Sequence, residues 1–512
     1  MRNKINAIKV FIAIKFSILA MFALRAEPVT TVQELVKALQ EKTTSTDVIE
    51  VAPGEYDLTD ICMREDASFG NSHLYLQNAT LKGMGNSRDD VKLIGNGLRV
   101  LWAYRTDYAS PAKVVNLTIM NGNAGLKNGG GLLGNCTVSN SVIRSCLAIS
   151  GGGTSNYTRL YDCLIEGNQA TTGGGVYEGS CYGCVISNNY ASGSGGGVYN
   201  TTVQRGDVVA NYAGAKGGGA SYSRILNAMV YNNYAVSNGG GLEYGNAVSC
   251  IISNNFCGAN GPNAAFTSPI DRCDVSGTPC YQIVAVGSKF HDIGLKVSLS
   301  GNAYAQAEIE PTYLLNNYVN CTNCLFYNNK SQKTDSAIFG GNSGATKASS
   351  IINCTVVSNT YAYMFKYFQT PNHPLTVINC VFYNNSYKNG DSRDISMSGT
   401  KAIDPQSIRF SNCAYGKSNV ANLSDFVVQS MYQFGENGFG KLPKFIGEKD
   451  LNNPYGLKLS SPLCGKGQYM DWMANANDLR GDGFPRVRDE NVVDIGAYQC
   501  WLNPVGFTIR IK

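Results

Sequence analysis

Charge is what this chain most lacks. Asp, Glu, Lys and Arg make up only 15% of its 512 residues, against about a quarter in an ordinary globular protein. The formal net charge of +5 is carried entirely by Arg2, Lys4, Lys9, Lys15 and Arg25, so the remainder balances its 37 acidic residues one for one. A nucleic-acid footprint needs a basic excess or a clustered basic face, so no nucleic-acid partner is expected. Histidine is nearly absent, and of the three, His73 and His373 stand alone and take no role. After residue 26 no stretch is long and apolar enough to cross a bilayer, so no transmembrane helix is expected. No glycine-rich segment leads into a helix with the Lys-Ser/Thr ending that a phosphate loop requires.

What is abundant is equally selective. The 57 Gly and 52 Asn fill more than a fifth of the chain, and both are poor helix formers, which excludes a helical bundle. The 30 Tyr, 19 Phe and a 43% hydrophobic content exclude generic disorder. At this length the remaining options are several domains or one extended repeat.

Residues 1–26 read as an export signal: a basic start, an apolar run over residues 10–24 interrupted by Lys15, and small residues at Ala23 and Ala26 before Glu27-Pro28. The expectation is an exported chain, extracellular or at an outer surface.

Beyond it the sequence repeats. Gly-Gly-Gly begins at Gly129, Gly151, Gly173, Gly195, Gly217 and Gly239, always 22 residues apart. A second ladder, a β-branched residue followed by Asn and a small residue, runs in step through Asn168, Asn189, Asn211, Asn233 and Asn255. It continues at looser spacing through Asn329, Asn359 and Asn385. One such unit cannot bury its own apolar residues, so units must stack. Parallel coils about 4.8 Å apart turn each ladder into a physical column. Ile or Val then points inward, Asn turns a corner and bonds to the Asn above it, and the Gly triplets permit positive φ at another corner. The expected fold is all-β, a single-stranded parallel β-helix. A short amphipathic helix with a Thr31/Glu34 capping box is expected to cap its N-terminal end.

Cysteine keeps the same register. Cys163, Cys184, Cys250, Cys324, Cys354, Cys380 and Cys413 lead into short β runs, so alternation places them inward as small buried hydrophobes. A mostly reduced thiol column is expected, with Cys273/Cys280 and Cys181/Cys184 as the disulfide candidates. A zinc site from the Cys-x-x-Cys pairs would draw on corner and strand residues that the repeat already uses.

The expected segments are a signal peptide at 1–26, a cap helix and first coil at 27–60, and regular coils at 61–256. Irregular coils or a lateral insertion follow at 257–320, then later coils at 321–459, a C-terminal module at 460–503 and a terminal strand at 504–512. The opening Val48-Ile49-x-Val51-x-Pro53-Gly54-x-Tyr56 and the 22-residue coils resemble the right-handed, pectin-lyase-like β-helix superfamily. The alternating Asn and Gly ladders are similar to the repeats of polymorphic outer membrane proteins. Ser461-Pro462, the run from Asp478 to Arg486, and Val493-Asp494-Ile495-Gly496-Ala497-Tyr498 resemble the choice-of-anchor Q domain of bacterial surface proteins. These resemblances imply fold rather than activity, because the superfamily mixes lyases, hydrolases and non-catalytic adhesins.

Two functions compete. Tyr190, Tyr212 and Tyr234 recur at 22 residues, and Tyr177 and Tyr199 follow the Gly triplets. Aromatic rows offer stacking surfaces and hydroxyls, and so point to a non-catalytic binding, adhesion or display module for a polysaccharide or cell-surface glycan. The alternative is a polysaccharide lyase or glycoside hydrolase, which needs paired carboxylates or a base near a neutralising partner. The regular coils offer scattered acids only. The richer pool is Asp271, Arg272, Asp274, Lys289, His291 and Asp292. Asp478 and Asp482 resemble part of a Ca²⁺ loop in which Arg480 stands where an oxygen ligand belongs. No cofactor is therefore expected, Ca²⁺ being the one ion the spacing hints at. Asp478, Arg486 and Asp494 are read as a structural hydrogen-bonding set that closes the C-terminal cap.

Overall fold

A computed structural model describes residues 27–500, apart from 105–110, 259–264, 278, 294–296, 299–307, 310–311, 342–345, 369, 399–402, 436–440, 447–453 and 488–490. The expected export signal and terminal strand lie outside the described residues. The chain winds into a right-handed parallel β-helix whose strands form three long parallel sheets.

The coil that starts at Gly195 shows how the sequence makes one turn. Strands Val198–Tyr199, Thr202–Gln204, Asp207–Val209 and Tyr212–Ala213 are separated by Asn200, Arg205 and Ala210, with φ of 48°, 54° and 55°. These left-handed residues are the corners, and asparagine fills many of the equivalent positions in other coils because it tolerates that backbone region best among residues with a side chain. In the triplet only Gly195 needs positive φ. Gly196 is fixed by space, since a Cβ there would run into the carbonyl oxygens of Tyr212 and Gly218.

The 22-residue period appears as register. Tyr177 lies over Tyr199, Ile186 over Val208 and Ala191 over Ala213. Inward positions make one continuous core that runs from Ile165 and Ile186 to Phe326 and Phe382, all fully buried. Each such side chain contributes about 1.5–3 kcal/mol. The Asn ladder runs beside it, one residue past the left-handed corner rather than on the corner where it was expected, because Gly167, Asn188, Ala210, Asn232 and Asn254 take the positive φ. Asn168, Asn189, Asn211 and Asn233 each donate Nδ2 to Oδ1 of the next Asn at 2.9–3.0 Å, ending on Asn255. A second ladder runs from Asn329 through Asn359 and Asn385 to Asp394. A carboxylate ends this chain of amides well, because it accepts from Asn385 on one oxygen and from the Lys417 amide on the other. Burial pushes the Asp394 carboxyl up to about 6.

The cysteines of the inner column, among them Cys163, Cys250 and Cys380, are buried free thiols that donate to the carbonyl two residues earlier. The disulfide candidates need correcting: Cys181, Cys184, Cys273 and Cys280 are all free, and the bond forms instead between Cys464 and Cys500. Column neighbours decide proximity, and Cys273 stands next to Cys250, whose amide reaches its sulfur at 3.4 Å.

Through 257–320 the stack continues with irregular coils. The Cys273 amide reaches Ser288 only 15 residues on, and an antiparallel pair, Val297–Ser298 with Glu308–Ile309, stands apart from the parallel sheets. Helix α1 (Val32–Glu41) opens the fold, with the Thr31/Glu34 capping box in place and Leu35 and Leu39 buried in the core. A 3₁₀ turn, Leu423–Phe426, puts Phe426 into the other end. No helix among the described residues is long and apolar enough to cross a membrane.

Candidate functional site

The outward side of the strands that follow the Gly triplets carries an aromatic column. Tyr177, Tyr199, Tyr222, Tyr244, Phe266 and Tyr281 follow one another over successive coils, with ring centroids 5.1–6.1 Å apart. Tyr177 and Tyr199 lie face to face at 5.5 Å with an interplanar angle of 6°. A second column, Tyr190, Tyr212 and Tyr234, stacks at 5.2 and 5.4 Å on the third sheet, and the next member, Phe256, is fully buried. Burial, the largest influence on each, raises the phenol pKa of Tyr177, Tyr199, Tyr212 and Tyr234.

Face-to-face stacking changes what these rings offer. Their π faces cover one another, so the expected glycan contacts at Tyr177, Tyr199, Tyr190, Tyr212 and Tyr234 present ring edges and hydroxyls. The more exposed rings are Tyr222 and Tyr244, 53% and 42% exposed and tilted by 51° and 32° from the preceding ring rather than stacked flat on it. In those coils Ser221 and Glu243 occupy the column position, and the ring comes from the next residue, in left-handed backbone at φ 50° and 48°. That one-residue offset in the 22-residue spacing is the signal by which the sequence marks them.

Glu243 is the buried charge of this face, 1% exposed. Its Oε2 accepts from Ser221 at 2.7 Å, and Oε1 lies 3.5 Å from Lys216 Nζ, which also sits over the Tyr244 ring. Burial raises its carboxyl pKa. Glu178 lies beside Tyr177, and its charge and that of Glu243 both reach Tyr199. The rings thus carry a sparse line of polar groups between them.

Of the acid-base pool, three members meet. His291 Nε2 is 2.6 Å from Asp274 Oδ1, its Nδ1 is 2.7 Å from Asp292 Oδ2, and its ring stacks on Tyr327 at 4.9 Å. Strand alternation alone would turn Asp292 away, but it occupies a left-handed corner at φ 51° that brings it back. Asp271 stands apart, 3.5 Å from Arg272. Burial opposes a charged His291, but the two carboxylates outweigh it and raise the pKa. A raised pKa stabilises the fold fully below about pH 6.5, and this contribution is lost as pH rises through the shifted value. His291→Asn is therefore expected to cost about 1.5–3 kcal/mol at pH 6 and distinctly less at pH 9, read from denaturation midpoints at the two pH values. An equal loss at both would show that the imidazolium plays no part. Both ring nitrogens of this histidine are engaged by carboxylates.

The C-terminal module lies along the flank of the second sheet. Its Leu463, Ile495, Ala497 and Tyr498 cover Leu325, Val357 and Val381, which point out of the coils. Ala497 donates to Thr355 and Gln468 exchanges bonds with Asn379. Asp478, Arg486 and Asp494 are buried inside the module. Asp478 accepts from Arg480 and from the Gln499 amide, Asp494 from the amides of Gly465 and Cys500, and Arg486 donates to the Asp494 carbonyl. Arg480 holds the Asp478 carboxylate that a Ca²⁺ ion would need.

These features define a class, the parallel β-helix solenoid carrying an outward aromatic face and a flanking module. No protein-family model and no curated protein matches the chain. Solved structures of similar fold include pectate lyase Pel9A, at 14% identity over 90% of each chain with a TM-score of 0.30. The tailspike protein of E. coli bacteriophage HK620, in complex with a pentasaccharide, shares 14% identity over 80% of this chain and 76% of its own, TM-score 0.38. The PL6 family alginate lyase AlyGC shares 12% over 79% of this chain and 53% of its own, TM-score 0.34. At such identities the likeness is one of fold.

Proposed function

We propose that the chain is an exported bacterial surface or extracellular protein that binds an extended glycan along its aromatic face without cleaving it. The observation that carries this reading is the column of six rings from Tyr177 to Tyr281. A repeated surface suits a repeated ligand, because each coil offers the next unit an equivalent edge, hydroxyl or face. Tyr222 and Tyr244 supply apolar stacking, and the stacked rings supply hydroxyls. Lys216, steadied by the buried Glu243, and Glu178 add directional bonding at intervals. The neutral balance of the chain suits a ligand held by stacking and hydrogen bonds.

The test is retention on immobilised neutral and acidic polysaccharides, parent against the Tyr222→Ala/Tyr244→Ala double variant. Both rings are exposed, so the variant is expected to keep its fold. Loss of two stacking contacts is expected to weaken binding by roughly tenfold or more, about 1.4 kcal/mol. Undiminished retention by the double variant would refute the assignment, and release of new chain ends from any bound polysaccharide would refute its non-catalytic part.

A further inference from the structure

A different surface carries a second site. Where the module meets the coils, a cavity of about 590 Å³ opens between residues 476–482 and the corners of three coils, within the roughly 300–1,000 Å³ of small-molecule sites. Asn323 Nδ2 donates to the Asn477 carbonyl at 2.8 Å and fixes one edge. The walls combine three kinds of group. Val286 and Ile352 line the coil side. Trp472 stands in the 3₁₀ turn Asp471–Asn475, where Met473 is fully buried as the anchor while the indole stays 44% exposed against the cavity. Asp271, Arg272 and Asp482 bring two carboxylates and a guanidinium, with the Asp271 and Arg272 side chains 42% and 48% exposed.

We infer that this cavity binds a single hexose-sized polyol, a monosaccharide or the end unit of a chain. An indole face takes the C–H face of a sugar ring. Carboxylates accept from neighbouring hydroxyls in pairs, and a guanidinium donates to a ring or hydroxyl oxygen. A bare cation suits the place less well, because Arg272 lies 3.5 Å from Asp271 and shares its field. The site exists only while the module is docked, since Trp472 and Asp482 come from one side and Asp271 and Arg272 from the other. It shares no residue with the aromatic face and takes one sugar where that face takes a chain.

Calorimetric titration of the full chain with the methyl glycosides of glucose, galactose and mannose tests this. Saturable heat in the millimolar range is expected with at least one of them, reduced at least tenfold by Trp472→Ala and likewise by Asp271→Ala. Both side chains are well exposed, so the thermal midpoint is expected to hold. If Trp472→Ala lowers it, Asp271→Ala decides. The Tyr222→Ala/Tyr244→Ala variant is expected to retain the heat, which separates the two sites. No saturable heat with any of the three glycosides, or heat that survives both cavity variants, would overturn the assignment.

Discussion

Asn189→Leu is expected to destabilise the protein by about 3–5 kcal/mol, whereas Asn188→Gly, one residue earlier, is expected to leave it within about 0.5 kcal/mol. Asn189 Oδ1 receives both the main-chain amide and Nδ2 of Asn168, each at 3.0 Å. Its own Nδ2 donates to the Ile165 carbonyl and to Asn211 Oδ1, each at 3.0 Å. Leucine has similar bulk but no polar atoms, so four buried bonds are lost at once, although Asn211 Oδ1 keeps the main-chain amide of residue 189 and Asn168 Nδ2 keeps the Ile143 carbonyl. Each orphaned group costs about 1–3 kcal/mol, partly relieved by relaxation. Asn188 serves only as a corner at φ 51°, a conformation glycine adopts freely. Urea denaturation of the two variants makes the comparison. Equal midpoints would mean that the ladder is decoration on a core that holds itself.

That contrast explains why the fold was legible. A solenoid converts sequence period directly into spatial neighbours, so Gly195 over Gly217 or Asn211 over Asn233 needs no long-range inference. Where the expected C-terminal module would dock was not legible, for a physical reason. Val185, Met229 and Ile251 take the same outward column position as Leu325 and Val381. The first three are 37–49% exposed and the last two are fully buried. Apolar residues stand outward in both regions, so their presence does not announce which coils are covered. The Cys464–Cys500 bond is hidden likewise, because it joins parts of the module 36 residues apart and no period relates them.

The sites divide along the same line. Tyrosine spacing gave the columns, but not that Tyr177 and Tyr199 would spend their faces on each other, which depends on side-chain torsions. Alternation separated His291 from Asp292, and a single left-handed corner reunites them. The cavity beside Trp472 draws on residues some 200 positions apart, Asp271 and Arg272 with Asp482, and only docking of the module brings them together.

Arg99 carries the second large effect, and it lies in the coils before the Gly triplets begin. The side chain is fully buried. Its guanidinium donates to the carbonyls of Phe69, Gly70, Asn128 and Gly129 and to the Ser72 hydroxyl, at 2.5–3.3 Å. Burial lowers its pKa to about 10, so it remains charged at neutral pH. One planar fork thus ties the loop before Ser72 to the first Gly triplet. Arg99→Met is expected to cost about 4 kcal/mol, since several carbonyls lose a charge-assisted donor at once. Arg99→Lys is expected to recover little, because an ammonium has three donors on one atom and cannot span partners spread around the edge of a planar guanidinium. Limited proteolysis is expected to cut both variants between residues 62 and 71 before the coils unfold, because the loop loses its tether while the stack beneath keeps its register. A lysine variant as stable and as resistant as the parent would show that the positive charge alone holds this junction, and that the fork geometry is incidental.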